Sequence, residues 1–175
     1  PEPGIYRRAG ELVGAQNPLA VGDRLETDIM GAVAAGVPAL HVLTGVHQAR
    51  DVIRAPRGQR PTYLAIDMRG LLEAHPAPKH HRDGTWTCGV SQVAKATRSG
   101  VLTLDDVELT EPVTISIDSY RALAAAAWEY ADGAGTPVTC PEITVVDNED
   151  PAGIVSQPEP VAAAGEDGFY DVAAD

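Results

Sequence analysis

The sequence predicts an α/β fold: the carboxyl-terminal part of a doubly wound parallel sheet, then a small α+β appendage, then an acidic tail. Three observations carry that prediction. Residues 1–75 alternate short aliphatic runs with helical periodicities, the pattern of βαβ units. The alternation stops at the proline- and charge-rich stretch HPAPKHHR, residues 75–82, beyond which the order of elements changes. From Asp147 onward there are eight acids and no Lys or Arg, among Ala, Gly and Pro. The expected divisions are residues 1–75 for the sheet, 76–82 for a linker, 83–146 for the appendage and 147–175 for a disordered tail.

The elements follow in order. Ile5, Ala9, Leu12 and Val13 mark one apolar face of a helix over Gly4–Val13, entered from prolines. Asn17-Pro18 turns the chain into a strand at Leu19–Val21. A helix from about Glu26 ends at Gly36, with Pro38 beyond it as a stop. Ala39–Leu43 is a second strand, Gln48–Arg54 a short helix with Ala49, Val52 and Ile53 inward, and Thr62–Ile66 a third strand. Met68–Ala74 closes this part as a helix. Right-handed crossovers then put helices on both faces of the sheet. Past the break, Thr85–Val90 and Val113–Ile117 read as strands, Gln92–Thr97 as a short helix or turn, and Leu102–Leu109 as an acidic segment. A long helix over Asp118–Ala131 carries Tyr120, Leu123, Ala124, Ala127 and Trp128 at helical spacing, with Asp118 or Ser119 as its cap. Ile143–Val146 is a last strand. Trp86 and Trp128 read as core anchors, and Phe169-Tyr170 as part of a solvated tail.

Composition limits the function. The chain has 175 residues and is 44% hydrophobic, enough for a core of Ala, Val, Ile and Leu, but only 5% aromatic. Its net charge of −12 argues against nucleic acid and anionic membranes as partners, since both require a basic face. No apolar run approaches the roughly 20 residues that span a bilayer. Cys88 and Cys140 are too few for a disulfide scaffold and read as free thiols of a reducing cytoplasm. Pro1-Glu2-Pro3 leads straight into a helical pattern, so the sequence reads as the carboxyl-terminal part of something longer.

Chemistry concentrates in LAVGDRLETDIMGAVAAG, Leu19 to Gly36. An apolar strand stops at Gly22 and presents Asp23 at its carboxyl end, where open α/β sheets bind ligands. Asp28 follows in the first helical turn. By spacing alone, Asp23 is equally well a solvated turn acid and Asp28 a charge complementing the helix dipole.

The run Val21-Gly22-Asp23-Arg24-Leu25-Glu26-Thr27-Asp28-Ile29 resembles the fourth motif of haloacid-dehalogenase (HAD) phosphatases. It is most similar to the capped branch holding p-nitrophenylphosphatase, phosphoglycolate, glycerol-3-phosphate and NagD-type phosphatases. The flanks agree: Pro1-Glu2-Pro3 resembles the continuation of a lysine-bearing Gly-Lys-Pro segment, and Leu43-Thr44-Gly45-Val46 and Pro61-Thr62-Tyr63 resemble later strand boundaries. The resemblance covers residues 1–75. It implies a Rossmann-like core and Mg²⁺-dependent hydrolysis of a small phosphomonoester, of sugar or glycerol phosphate type, through an aspartyl-phosphate. It makes Asp23 a direct Mg²⁺ ligand and places Asp28 behind it, orienting the metal and its waters. Arg24 and Thr27 would shape the loop, and Gly22 would let the backbone come close. The partner implied is a small phosphorylated metabolite, with homo-oligomerisation through the cap of the complete enzyme.

The departures are as informative. No DxDx(T/V) nucleophile motif follows a strand anywhere in this sequence, and the hydroxyl-bearing motif, the cap and the lysine are missing too. No catalytic residue is therefore assigned within the chain, which alone should be inactive. Some phosphatases of this branch carry a piece resembling part of an acetyltransferase after the core. Residues 83–146 would then be a degenerate version, since no glycine-rich pyrophosphate loop opens a helix there. His75, His80, His81, Cys88 and Cys140 lack the paired spacing of a structural zinc site. The competing class is a non-catalytic α/β binding or interaction module. The absence of any Lys from residues 1–75 counts against a receiver domain.

Overall fold

The first helix, α1 (Gly4–Val13), forms as its periodicity predicts and ends at Gly14 in the left-handed conformation. The computed structural model containing it describes residues 2–148; the tail expected from Asp147, Phe169-Tyr170 included, falls outside the described residues from position 149. Three strands follow in chain order: β1 (Ala20–Gly22), β2 (Ala39–Val42) and β3 (Tyr63–Ala65). They make a parallel sheet in the order β1-β2-β3, with Val21 opposite Leu40 and His41 opposite Leu64. All four residues of β2 are buried, as befits a central parallel strand covered on both faces.

The connection after β1 differs from the single α-helix expected there. Leu25–Ile29 is a π-helical turn, with the amides of both Asp28 and Ile29 directed at the Arg24 carbonyl. A regular helix, α2 (Met30–Ala35), continues from it to left-handed Gly36. Such turns are rare and concentrate at functional sites. α3 (Ala49–Ile53) opens with the Asp51 carboxylate reaching back to accept from the Gln48 amide at 2.9 Å. The last segment of this part, Met68–Leu72, is a 3₁₀ helix started by the Asp67 side chain. Gly70 fits there because a methyl group at that position would overlap Ala65 of β3.

The stretch expected as a linker contributes a strand. β4 (Lys79–His80) pairs with β5 (Trp86–Thr87) at the edge of a five-stranded antiparallel sheet, continued by β6 (Ala94–Ala96), β7 (Leu102–Leu104) and β8 (Val107–Glu108). β6 replaces the helix or turn expected over Gln92–Thr97. Its residues pair with both neighbours and Ala94 is fully buried, so tertiary pairing outweighs weak local preference. The acidic segment Leu102–Leu109 is the β7–β8 hairpin. Asp105 and Asp106 form its two-residue turn with φ of 47° and 64°, the geometry that fits the twist of the flanking strands.

β9 (Val113–Ser116) and β10 (Ile143–Val146) pair in parallel on either side of α4 (Ile117–Ala134). The α4 cap is Ser116, whose hydroxyl accepts from the Ser119 amide at 3.2 Å, rather than Asp118 or Ser119. The helix begins earlier than its apolar spacing indicates, which moves Asp118 inside, where it pairs with Arg121 at 2.9 Å.

One hydrophobic core runs through both parts. Ile29, Val52, Ile53 and Leu64 from the first share it with Leu104, Tyr120 and Leu123 from the second. Polar bonds stitch the same boundary. The Arg121 guanidinium donates to the Leu64 carbonyl from Nε at 3.2 Å and from Nη2 at 2.9 Å. The Trp128 indole donates to the Val52 carbonyl at 3.0 Å, and Arg50 Nε to the Cys140 carbonyl at 2.9 Å. α4 is the spine to which both parts are attached.

Candidate metal-binding site

The site grows from the end of β1. The parallel ladder holds β1 through Gly22, and the chain then leaves the sheet with Asp23 at its carboxyl edge, partly exposed. The loop after β2 rises beside it, and the Val46 amide donates to Asp23 Oδ2 at 2.6 Å. That bond is the main reason the Asp23 carboxyl sits below the usual carboxylate range, with partial desolvation opposing it. Asp23 is thus an anion at neutral pH with one oxygen fixed. Its Oδ1 has no hydrogen-bond partner among the described residues. The Asp23 carbonyl accepts from the His47 amide at 3.2 Å and faces His41 Nε2 at 3.3 Å, so backbone and side chain are both held.

Asp28 turns back over the same loop. Its Oδ2 accepts from the Arg24 amide at 3.1 Å, and Thr27 Oγ1 approaches its Oδ1 at 3.4 Å. Thr27 thus meets Asp28 through its hydroxyl and Arg24 through its backbone amide, the Arg24 side chain being exposed. Gly22 is needed for space, because a methyl group there would overlap the Asp28 side chain. Gly45 is needed for the same reason against the Asp23 carboxylate. The π-helical turn produces this geometry by bringing Asp28 back within reach of the Arg24 amide.

Sequence reasoning missed the supporting layer. The Leu25 amide donates to His47 Nδ1 at 3.2 Å, His47 Nε2 lies 3.3 Å from Glu26, and the Tyr6 hydroxyl donates to the Asp28 carbonyl at 2.9 Å. Gly45 and Val46 lay in a stretch already singled out, but nothing marked His47 or Tyr6. His41 is fully buried in β2 with Nδ1 unpartnered, and burial pushes its pKa down, so it is a neutral imidazole. The other histidines and the cysteines lie elsewhere. His80 stacks on Trp86 with ring centroids 4.8 Å apart, His81 bonds Thr87 at 2.8 Å and His75 bonds the Gly70 carbonyl at 2.7 Å. Cys88 and Cys140 are free and buried.

The donor set suits a hard divalent cation. Mg²⁺ takes oxygen ligands, keeps several waters and uses only one or two protein carboxylates. An ionised, oriented Asp23 with one free oxygen meets that requirement, whereas both oxygens of Asp28 face the loop. Among the described residues, no group of three or more His, Cys, Asp or Glu converges to hold a metal ion.

Residues 1–71, which hold the parallel sheet, the Gly22-Asp23 loop and Asp28, match the HAD-hydrolase-like family. The chain is a relative of the HAD-superfamily glycerol phosphate phosphatases. It is 36% identical over 129 residues to the D-glycerol 3-phosphate phosphatase of Mycobacterium tuberculosis, an alignment covering 74% of this chain and 35% of that protein. The crystal structure of a glycerol phosphate phosphatase from the same organism in complex with magnesium superposes with a TM-score of 0.52 at 29% identity, covering 86% of this chain and 40% of that one. The same phosphatase in complex with calcium gives a TM-score of 0.52 at 27% identity, over 94% and 46% of the two chains. The chain therefore spans about a third of the length of the curated relative it matches. Both structural matches extend well beyond residue 71, so the second part of the chain shares in the likeness. Among the described residues, no helix is long and apolar enough to cross a membrane.

Proposed function

We propose that this chain supplies the metal-holding part of a Mg²⁺-dependent phosphatase acting on a small phosphomonoester of the sugar or glycerol phosphate type. Asp23 would hold the cation through its free oxygen, and Asp28 would fix the loop on which Asp23 stands. When bound, the cation neutralises the charge that otherwise keeps a carboxylate nucleophile and a phosphate dianion apart. The chain's own residues do the rest of the positioning. The Val46 amide keeps Asp23 ionised and aimed, the Arg24 amide and Thr27 hydroxyl lock Asp28, and neutral His41 fills the sheet beneath without adding charge. In the whole enzyme, an aspartate outside this sequence would attack phosphorus and release the alcohol. Water would then hydrolyse the aspartyl-phosphate. Lacking the DxDx(T/V) motif, the chain alone is expected to be inactive.

The observation that carries this reading is the Asp23 carboxylate at the β1 terminus, with Oδ2 tied to Val46 and Oδ1 open. The test is a MgCl₂ titration of the 175-residue chain followed by amide NMR, with Asp23→Asn as the comparison. Amides of Gly22–Asp28 and of Gly45 and Val46 should shift in the native chain and stay still in the variant. In the full-length enzyme the same substitution should sharply reduce turnover of p-nitrophenyl phosphate. Near-normal turnover at ordinary Mg²⁺ refutes the ligand assignment.

A further inference from the structure

Three of the chain's eleven arginines fall within the seven residues RAPRGQR, 54–60, a stretch without an acid in a chain of net charge −12. The fold turns that stretch into one wall of an open groove of about 440 Å³, and the carboxyl-terminal end of α4 forms the other. Arg54, Arg57 and Arg60 all line it, and Asp132 is the only acid among its lining residues.

The arginines are differently restrained. Arg60 is built in: Nε donates to the Ala55 carbonyl at 3.0 Å, Nη1 to Asp132 at 2.9 Å, and the guanidinium lies 5.6 Å from the centre of the Trp128 ring. Its side chain is only 13% exposed. Arg57 Nε donates to the same Asp132 oxygen at 2.9 Å, leaving its two terminal nitrogens unpartnered among the described residues. Arg54 has no hydrogen-bond or ion-pair partner for its guanidinium among the described residues. One carboxylate therefore balances three guanidinium groups, a local excess of two positive charges. Across from them, beyond the end of α4, lie Thr136 and Pro137, a lip with one hydroxyl.

Guanidinium forks match phosphate oxygens in geometry as well as charge, and a phosphate monoester carries nearly two negative charges at neutral pH. We propose that the groove between the 54–60 loop and the end of α4 is a binding site for a phosphate group, either free phosphate or the phosphate of a small organic ester. None of its lining residues belongs to the loop around Asp23, so the site requires no metal. It stands independently of the reading of Asp23 as a magnesium ligand.

The test is a titration of the full chain with inorganic phosphate and, separately, glycerol 3-phosphate. EDTA should be present so that no metal contributes, and the arginine Nε–Hε signals should be followed by NMR. Saturable shifts of Arg54, Arg57 and Arg60 are expected. Arg54→Gln and Arg57→Gln should each weaken binding about tenfold, as loss of one charge-assisted bond implies. Equal affinity for the two ligands would support a site for the phosphate ion itself, and tighter binding of the ester one for an organic phosphate. A linear, unsaturated response, the same response to chloride at equal ionic strength, or unchanged affinity in the Arg54→Gln/Arg57→Gln variant would overturn the proposal. Arg57 is 76% exposed, so its replacement leaves folding intact and keeps the measurement interpretable.

Discussion

Replacing Arg121 by alanine should destabilise the whole chain, because it removes the bolt between its two parts. The Arg121 and Asp118 side chains are 6% and 4% exposed and meet at 2.9 Å. Without the guanidinium, the Asp118 carboxylate keeps only the Val90 amide, at 3.0 Å, and the Leu64 carbonyl loses two donors. Breaking a buried pair by deleting one partner costs about 3–5 kcal/mol, mostly through the charge left behind. Against the roughly 5–15 kcal/mol that holds most domains together, that is a large fraction. For a chain of this size it corresponds to a fall in Tm of roughly 6–20 °C. The assay is urea unfolding followed by far-ultraviolet circular dichroism, where the midpoint should drop while the slope stays fixed. Arg121→Met combined with Asp118→Asn should recover part of the loss, since no uncompensated charge remains. A loss below about 1 kcal/mol, or two separate transitions in the native chain, would refute the idea of a shared core locked by this pair.

Gly45→Ala should push the Asp23 carboxylate away from the Val46 amide and weaken Mg²⁺ binding while leaving the melting temperature nearly unchanged; an unaltered Mg²⁺ titration by amide NMR would count against the close approach seen here. Asp106→Gly should stabilise the chain by about 0.5 kcal/mol in urea titration, because glycine adopts the left-handed turn at φ 64° without strain. Asp105→Gly should not, because the Asp105 carboxylate also accepts from the Val93 amide at 2.9 Å. Burial pushes the thiols of Cys88 and Cys140 from 9.0 up to about 11. Both should resist thiol reagents in the native chain at pH 8. Because these pKa values are raised, their contribution to stability is complete below pH 9 and disappears as pH rises through about 11, which a pH series of melting temperatures would show.

The first part of the fold was legible because its signals are local and agree with one another. Gly4–Val13 has a clean helical period, Gly36 and Pro38 stop a helix, and short aliphatic runs at Ala39–Val42 and Tyr63–Ala65 suit buried parallel strands. What stayed hidden depends on contacts distant in sequence. Nothing in LETDI distinguishes a π-helical turn from an α-helical one; the difference lies in how Asp28 folds back to the Arg24 amide. Ala94–Ala96 is a strand because β5 and β7 flank it. The β7–β8 turn uses Asp-Asp where Asn-Gly or Asp-Gly would have announced a hairpin. At the site, Asp23 and Asp28 stood out by position in a strand–turn–helix pattern. The Val46 amide could not, because a backbone donor carries no residue signature.

The continuous core has a consequence for anyone building hybrids from this protein. Residues 1–75 and 83–146 look in sequence like two cassettes joined at a proline-rich seam, an inviting place to cut and recombine. Severing there would strip Trp128 from the Val52 carbonyl and Arg121 from the Leu64 carbonyl, and would expose apolar side chains of α3 and β3 to water. Exchangeable boundaries lie where few contacts cross, and here the crossing is dense. A transplant should carry α4 together with the sheet it covers, or redesign the face that α4 leaves bare.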